Sequence, residues 1–337
     1  MQDFGSFPVP DYHFLLLLLP FPKYHGVEHQ ASTVITLGPH QELHSPEGQE
    51  RLAGISSHEL YHAWNVCSIR PAALRPYRLH QEVHLQEGLF LEGITTYMGD
   101  LYLKKSGFFS AEAYLNTLAQ RFERQGFSAG WRHQSIAQAS EDLWLDGYVE
   151  GSPDRKVNIY LYGSLLALGL DLLLLEAGES LPMFMRQLWE EYGKPEKGYV
   201  YAELLAALRA KSPELHSYIS TYIEHPGQNV IPYLLQQLGS SMGIYFEAVP
   251  AKDPLRRLGI HCTEDGQVRY LHPDSEGYTY LRVGDQVQLL SEQAPYEIQV
   301  SRWDQTFLLQ LAPADFFPSY THFSSTGTYP LRALWWE

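Results

Sequence analysis

The chain has 337 residues, 45% of them hydrophobic and 19% charged, and a net charge of −15 at pH 7. That length is more than one hydrophobic core usually serves, and that composition excludes a disordered chain. An acidic balance of this size argues against nucleic acid or an anionic membrane as a partner and leaves a peptide substrate open. Two cysteines, Cys67 and Cys262, far apart in sequence, make no disulfide framework and read as free thiols in a reducing compartment.

The first forty residues carry short apolar runs broken by Pro8, Pro10, Pro20, Pro22 and Gly26. Tyr12 to Leu19 and Ala31 to Leu37 read as strands. The run Phe14 to Leu19 is too short for a signal core and lacks a basic flank, so it reads as a buried strand, and a cytoplasmic location is the default expectation. Ser45-Pro46-Glu47 is a helix start, and that helix is expected to reach about Val66. A second helix is expected over Gln86 to Lys104, ending near Gly107. Helical spacing then recurs over Ser110–Arg124, Val157–Ala177, Leu181–Tyr192, Tyr201–Ala210 and Pro213–Ile223. Leu165 to Leu175 is apolar nearly all round and should be central; it is interrupted by Asp171 in its longer run and is a core helix rather than a membrane span. After Pro226-Gly227 the pattern shifts to short β runs: Gly259-Ile260, Gln267 to Leu271, Tyr278 to Val283, Gln286 to Leu290, Ile298 to Val300 and Thr306 to Leu311. The fold class expected is α+β, with units at 1–108, 109–227 and 228–337.

The chemistry is carried by His58-Glu59-Leu60-Tyr61-His62, of the form H-E-x-x-H. On a helix the two imidazoles four residues apart share one face and can reach one metal ion. Glu59, next to the first of them, reaches the metal's water without having to ligate. A catalytic zinc needs a third protein ligand and an open position, and Glu92 on the next helix, thirty residues beyond His62, is the candidate. Two other histidine pairs are weaker. His25 to His29 has the inverted H-x-x-E-H form but sits among prolines with Gly26 inside it. His80 and His84 follow Pro76 and have no base between them.

The segments His58-Glu59-Leu60-Tyr61-His62-Ala63-Trp64-Asn65-Val66, Ile69-Arg70-Pro71 and Leu91-Glu92-Gly93-Ile94-Thr95-Thr96-Tyr97 resemble the glycyl aminopeptidase family of zinc peptidases, relatives of aminopeptidase N. Gly26-Val27-Glu28-His29-Gln30-Ala31-Ser32 is similar to the family's G-x-E-H-x-x-S segment, and the likeness runs through Tyr160–Asp171 and Gly198-Tyr199, over roughly residues 1–225. The resemblance implies a thermolysin-like catalytic domain, a helical domain that completes the active site and a PDZ-like β-rich tail, with one zinc ion per chain. It implies that Glu28 lies on an edge strand and holds the substrate's α-ammonium, that Tyr160 donates to the developing oxyanion, and that small N-terminal residues such as Gly or Ala are removed. Three departures stand out: the chain starts almost at the catalytic strands, where relatives carry a further β-rich domain; Tyr162 stands where the family usually has Lys; and Asp274-Ser275-Glu276-Gly277 replaces a Gly-Ser-Pro-Ala turn in the tail, where Arg257-Leu258-Gly259-Ile260 lies near the carboxylate-loop position. Two alternatives follow from these residues, an endopeptidase if Glu28 is no amine clamp, and a peptide-binding scaffold that has lost turnover.

Overall fold

The computed structural model describes residues 3–78, 80–146, 154–291, 293 and 295–336. It begins with a three-stranded sheet: β1 (His13–Leu18), β2 (Lys23–His29) and β3 (Ser32–Gly38). β3 is central, parallel to β1 and antiparallel to β2, with Glu28 opposite Thr33. Helix α1 (Pro46–Tyr61) packs on β2 and β3. Ser45 starts it as the sequence predicts: its hydroxyl accepts from Gly48 N at 3.0 Å and Pro46 fills the first turn. The small cluster of Ile35, Leu37 and Ile55 seals sheet to helix.

Two expectations for this region are corrected. The α-helix stops at Tyr61 and the chain to Ile69 descends in turns rather than in a helix reaching Val66. The strand Phe14 to Leu18 is not buried: its five side chains are 43–54% exposed. The helix covers β2 and β3 only, so β1 lies beyond it and shows apolar side chains on both faces.

The second helical expectation begins three residues late, as a π-turn at Leu89–Gly93 that runs into α2 (Ile94–Lys105). Then come α3 (Ala111–Gly126) and α4 (Leu161–Glu176), buried from Leu161 to Leu175. α4 is the axis of the main core: α2, α3, the π-turn and α5 (Leu181–Leu188) all pack against it. Gly93 and Gly163 permit the closest of these approaches, since a Cβ on Gly93 lies 2.7 Å from Gly163 Cα. The helical spacings over Tyr201–Ala210 and Pro213–Ile223 appear as Tyr201–Arg209 and as Pro213–Tyr218 followed by a π-turn. Among the described residues no single helix is long and apolar enough to cross a membrane; α4 and Leu181–Gly193 are apolar together but meet at 98°.

Beyond 228 the packing divides. Helix α6 (Val230–Met242), the start of β4 (Ile244–Val249) and Trp335 of α7 (Pro330–Trp336) belong to the main core. A second core gathers Leu258, Ile260, Leu281, Val287, Ile298 and Leu311 around the antiparallel sheet of β5 (Gln286–Ser291), β6 (Tyr296–Arg302) and β7 (Gln305–Leu311). β8 (Ser319–Ser324) returns to pair with β4 and packs on α3 through Phe122 and Tyr320. Of the expected β runs, Tyr278 to Val283 is corrected: Gly277–Tyr280 is a helical turn, followed by a loop. Its alternation of aromatic and small residues suits a strand, but Leu281 alone is needed inside and the turn delivers it.

One buried polar chain ties the C-terminus to the core. Trp335 Nε1 donates to Tyr97 Oη at 2.7 Å, Tyr97 donates to Asp171 Oδ2 at 2.5 Å, and Asp171 Oδ1 accepts from Leu181 N at 2.6 Å. Burial pushes the Asp171 carboxyl up to about 6, although both hydrogen bonds favour its charged form. A carboxyl raised in the folded state is stabilising while it keeps its proton, so its contribution is complete below about pH 4 and is lost as pH rises through about 6, a change of roughly 3 kcal/mol. Asp171→Asn removes this titration. Urea unfolding of wild type and variant at pH 4 and pH 7 should therefore show the wild type losing ground to the variant by that amount; an identical gap at both pH values refutes it.

Candidate functional site

α1 delivers His58 and His62 from one face of its last turns, and the two Nε2 atoms lie 3.0 Å apart. His62 Nδ1 is 2.7 Å from the carbonyl oxygen of Asn65, which can only accept, so Nδ1 donates there and Nε2 is turned to the cluster. His58 Nδ1 lies 3.4 Å from Thr96 Oγ1. The π-turn brings Glu92 to the same point: Oε2 is 3.4 Å from His58 Nε2 and 3.5 Å from His62 Nε2, buried and without a hydrogen-bond partner. Asn65 also fastens the two elements together, donating from Nδ2 to Phe90 O at 2.6 Å and to Thr95 Oγ1 at 3.0 Å.

The electrostatics say what this cluster wants. Burial opposes charge on the His62 ring, but Glu92 beside it outweighs burial and pushes it up to about 9. Burial also opposes charge on Glu92, and the two imidazoles overcome it, holding the carboxyl well below the usual carboxylate range. His58 is held down by burial. Two imidazoles and one carboxylate meeting at a buried point demand positive charge, and a divalent cation meets that demand with a two-nitrogen, one-oxygen donor set suited to zinc. The orphaned Oε2 of Glu92 is the observation that fits the group.

Glu59 leaves α1 on the other side of the histidines and is buried against β2 and β3, accepting from Thr33 Oγ1 at 3.2 Å. Burial pushes its carboxyl up to about 7, His62 opposes that rise, and Glu28 adds to it. The space for this side chain exists because position 26 is Gly: a Cβ there falls 2.0 Å from Glu59 Oε1. Glu28, half-buried on the edge strand β2, brings a carboxylate oxygen within 4.8 Å of ligand atoms of both Glu59 and His62. Tyr160, just before α4, has its ring 6.2 Å from that of His58. All six residues singled out in the sequence, His58, Glu59, His62, Glu92, Glu28 and Tyr160, line one cavity of about 400 Å³.

The other histidine pairs do not converge. His25 and His29 sit on an extended strand, four residues apart and so about 13 Å along it. His80 and His84 lie outside any helix, with His84 exposed. Both metal-competent groups among the described residues fall in the cavity of His58. Tyr162, which stands where the family usually has Lys, points into the core, buried, with its hydroxyl 3.4 Å from Gln228 O, and is not among the residues that line the cavity. Sequence reading missed the supporting residues Asn65, Thr33 and Thr96 and the wall residues Arg121, Arg124 and Asn158. Asn65, three residues past His62, was the one with a visible signal.

Residues 51–166 match the family model described as M61 glycyl aminopeptidase. That match takes in most of α1, the π-turn and the start of α4, the elements that carry the cluster. Among solved structures it is similar to an aminopeptidase N family protein from Idiomarina loihiensis, at a TM-score of 0.85 and 24% identity over the whole of this chain. The chain spans 64% of the length of that protein, and at that identity the likeness establishes the shared mixed α+β fold. No curated protein matches the chain.

The cluster predicts metal binding that can be measured alone. Equilibrium dialysis with zinc should give about one ion per chain, abolished or weakened at least tenfold by His62→Ala or Glu92→Ala. His29→Ala and His84→Ala should retain the full content; loss of the ion in those two would relocate the site.

Proposed function

We propose that the chain is a zinc-dependent aminopeptidase that removes small N-terminal residues, Gly or Ala, from peptides. The observation that carries the reading is the convergence of the ligand atoms of His58, His62 and Glu92 on one point, in the same cavity as two further carboxylates, Glu59 and Glu28. The match of residues 51–166 to the glycyl aminopeptidase family model supports both the peptidase activity and the preference for small residues.

His58, His62 and Glu92 would hold the zinc, which when bound supplies Lewis acidity for peptide hydrolysis. Glu59 takes the proton of the attacking water and passes it to the leaving amine. Its burial and the hydrogen bond from Thr33 keep it directed across the cleft. Glu28 pairs with the substrate's α-ammonium, which places the first peptide bond at the reacting point and limits cleavage to one residue at a time. Tyr160, whose ring lies beside that of His58, donates its phenol to the oxyanion that develops on the carbonyl. The small β unit around Ile260, Leu281 and Ile298 takes the place of the PDZ-like module that the resemblance implies.

Glu59→Gln should keep the zinc and lose at least about 10³ in kcat on Ala and Gly amide substrates, as removal of a general base does. Glu28→Gln should raise KM for free peptides and narrow the preference for free over N-acetylated peptides. Cleavage of N-acetylated peptides as readily as free ones by the wild type would make the enzyme an endopeptidase. An Ala amide left intact by the zinc-loaded wild type would reject the reading.

A further inference from the structure

The cavity is lined by groups of both charges. Glu28, Glu59 and Glu92 line it together with Arg121 and Arg124 of α3. Arg124 lies near Tyr24, which is four residues along the extended strand β2 from Glu28 and so about 13 Å from it. Arg121 is already satisfied: its Nε donates to Asp100 Oδ2 at 2.9 Å and its Nη1 to Ser164 Oγ at 3.0 Å. Arg124, one turn further along, has no carboxylate paired with it among the described residues. The groups that act on its charge are Arg121, which opposes it, and the phenols of Tyr270 and Tyr24, and partial burial disfavours it first of all. A guanidinium carries five donors and no acceptor, so a position on a concave wall without an acid leaves its recognition capacity unused. The surroundings make this uncommon, because the chain has 39 acidic residues against 24 Lys and Arg.

We infer that Arg124 is a carboxylate subsite, and that the cavity is built for short unblocked peptides held at both ends: the α-ammonium at Glu28 and the C-terminal carboxylate at Arg124. This rests on the aminopeptidase reading above. An extended chain advances 3.3–3.6 Å per residue, so a di- or tripeptide spans roughly 7–10 Å, and the cavity offers about 400 Å³. The fixed fork of Arg matches a carboxylate in two parallel hydrogen bonds, which an amidated terminus cannot accept. Neutralisation of Arg121 by Asp100 leaves one net positive charge on this wall and lets that pair hold the helix face in place.

The test is binding, separated from turnover. The full chain carrying Glu59→Gln, incubated with zinc, is titrated calorimetrically with Ala-Ala-Ala and with its C-terminal amide. The free acid is expected to bind about tenfold more tightly, the worth of a partly solvated charge-assisted pair. In Glu59→Gln/Arg124→Gln the preference should vanish with the melting temperature unchanged, since Arg124 packs into no core. Equal affinity for acid and amide, or a preference that survives loss of Arg124, overturns the inference. Hydrolysis of the amide by the wild type tests the aminopeptidase reading separately. Its failure would sink that reading while the binding comparison still decides the subsite.

Discussion

The π-turn at Leu89–Gly93 is wedged between the end of α1 and the start of α4, with Gly93 and Gly163 in backbone contact and Asn65 donating into the turn at Phe90 O. Three requirements meet in those five residues. Glu92 must face two histidines that belong to another helix. The backbone must come close enough to α4 for Tyr160, at its start, to share the cavity. The peptide groups freed by the wider turn need partners, and Asn65 and Thr95 answer two of them. A side chain larger than hydrogen at either glycine separates the walls of the cleft and moves Glu92 off the imidazoles, so the geometry of the charged cluster is set by backbone contact before any electrostatic attraction acts.

The same economy holds the scaffold behind the site. α4 is buried on every side, and its single buried acid, Asp171, is spent on joining α2, α5 and the C-terminal helix through Tyr97, Leu181 N and Trp335. α2 carries on directly from the turn that bears Glu92, so the far end of the chain braces the element that positions a cluster residue. α3 works likewise from the other side, pressed by β8 through Phe122 while it presents its arginines to the cavity.

Much of the cluster was legible in the sequence because H-E-x-x-H on a helix fixes its own geometry: four residues of α-helix suffice to bring two imidazoles together. Glu92 followed from the need for a third ligand on the next helix, whereas Glu28 and Tyr160 were reached only through resemblance, since no local rule ties either to the metal-binding turn. The helices were readable from their apolar spacing, while the burial of Phe14 to Leu18 was misjudged, because a run of leucines says how apolar a strand is and not whether a helix covers it. Tyr278 to Val283 failed for a similar reason, its short alternation being equally compatible with a helical turn. Tyr162 and Arg124 show the limit from two directions. Both are polar groups near the motif, yet which one enters the cavity depends on the rotation of α4 and α3 about their axes, and that is decided by packing against the whole core.

The uncovered strand β1 bears on how the protein behaves in solution. Five consecutive apolar side chains stand on a sheet edge whose backbone groups on one side are open to another strand. The surplus of acidic charge on the chain, −15 at neutral pH, opposes the pairing of two such edges. Near the sequence pI of about 5.4 that mutual repulsion disappears while the strand remains as apolar as before. One short stretch of leucines thus works against the net charge of the chain, and acid and salt both shift that balance toward the leucines.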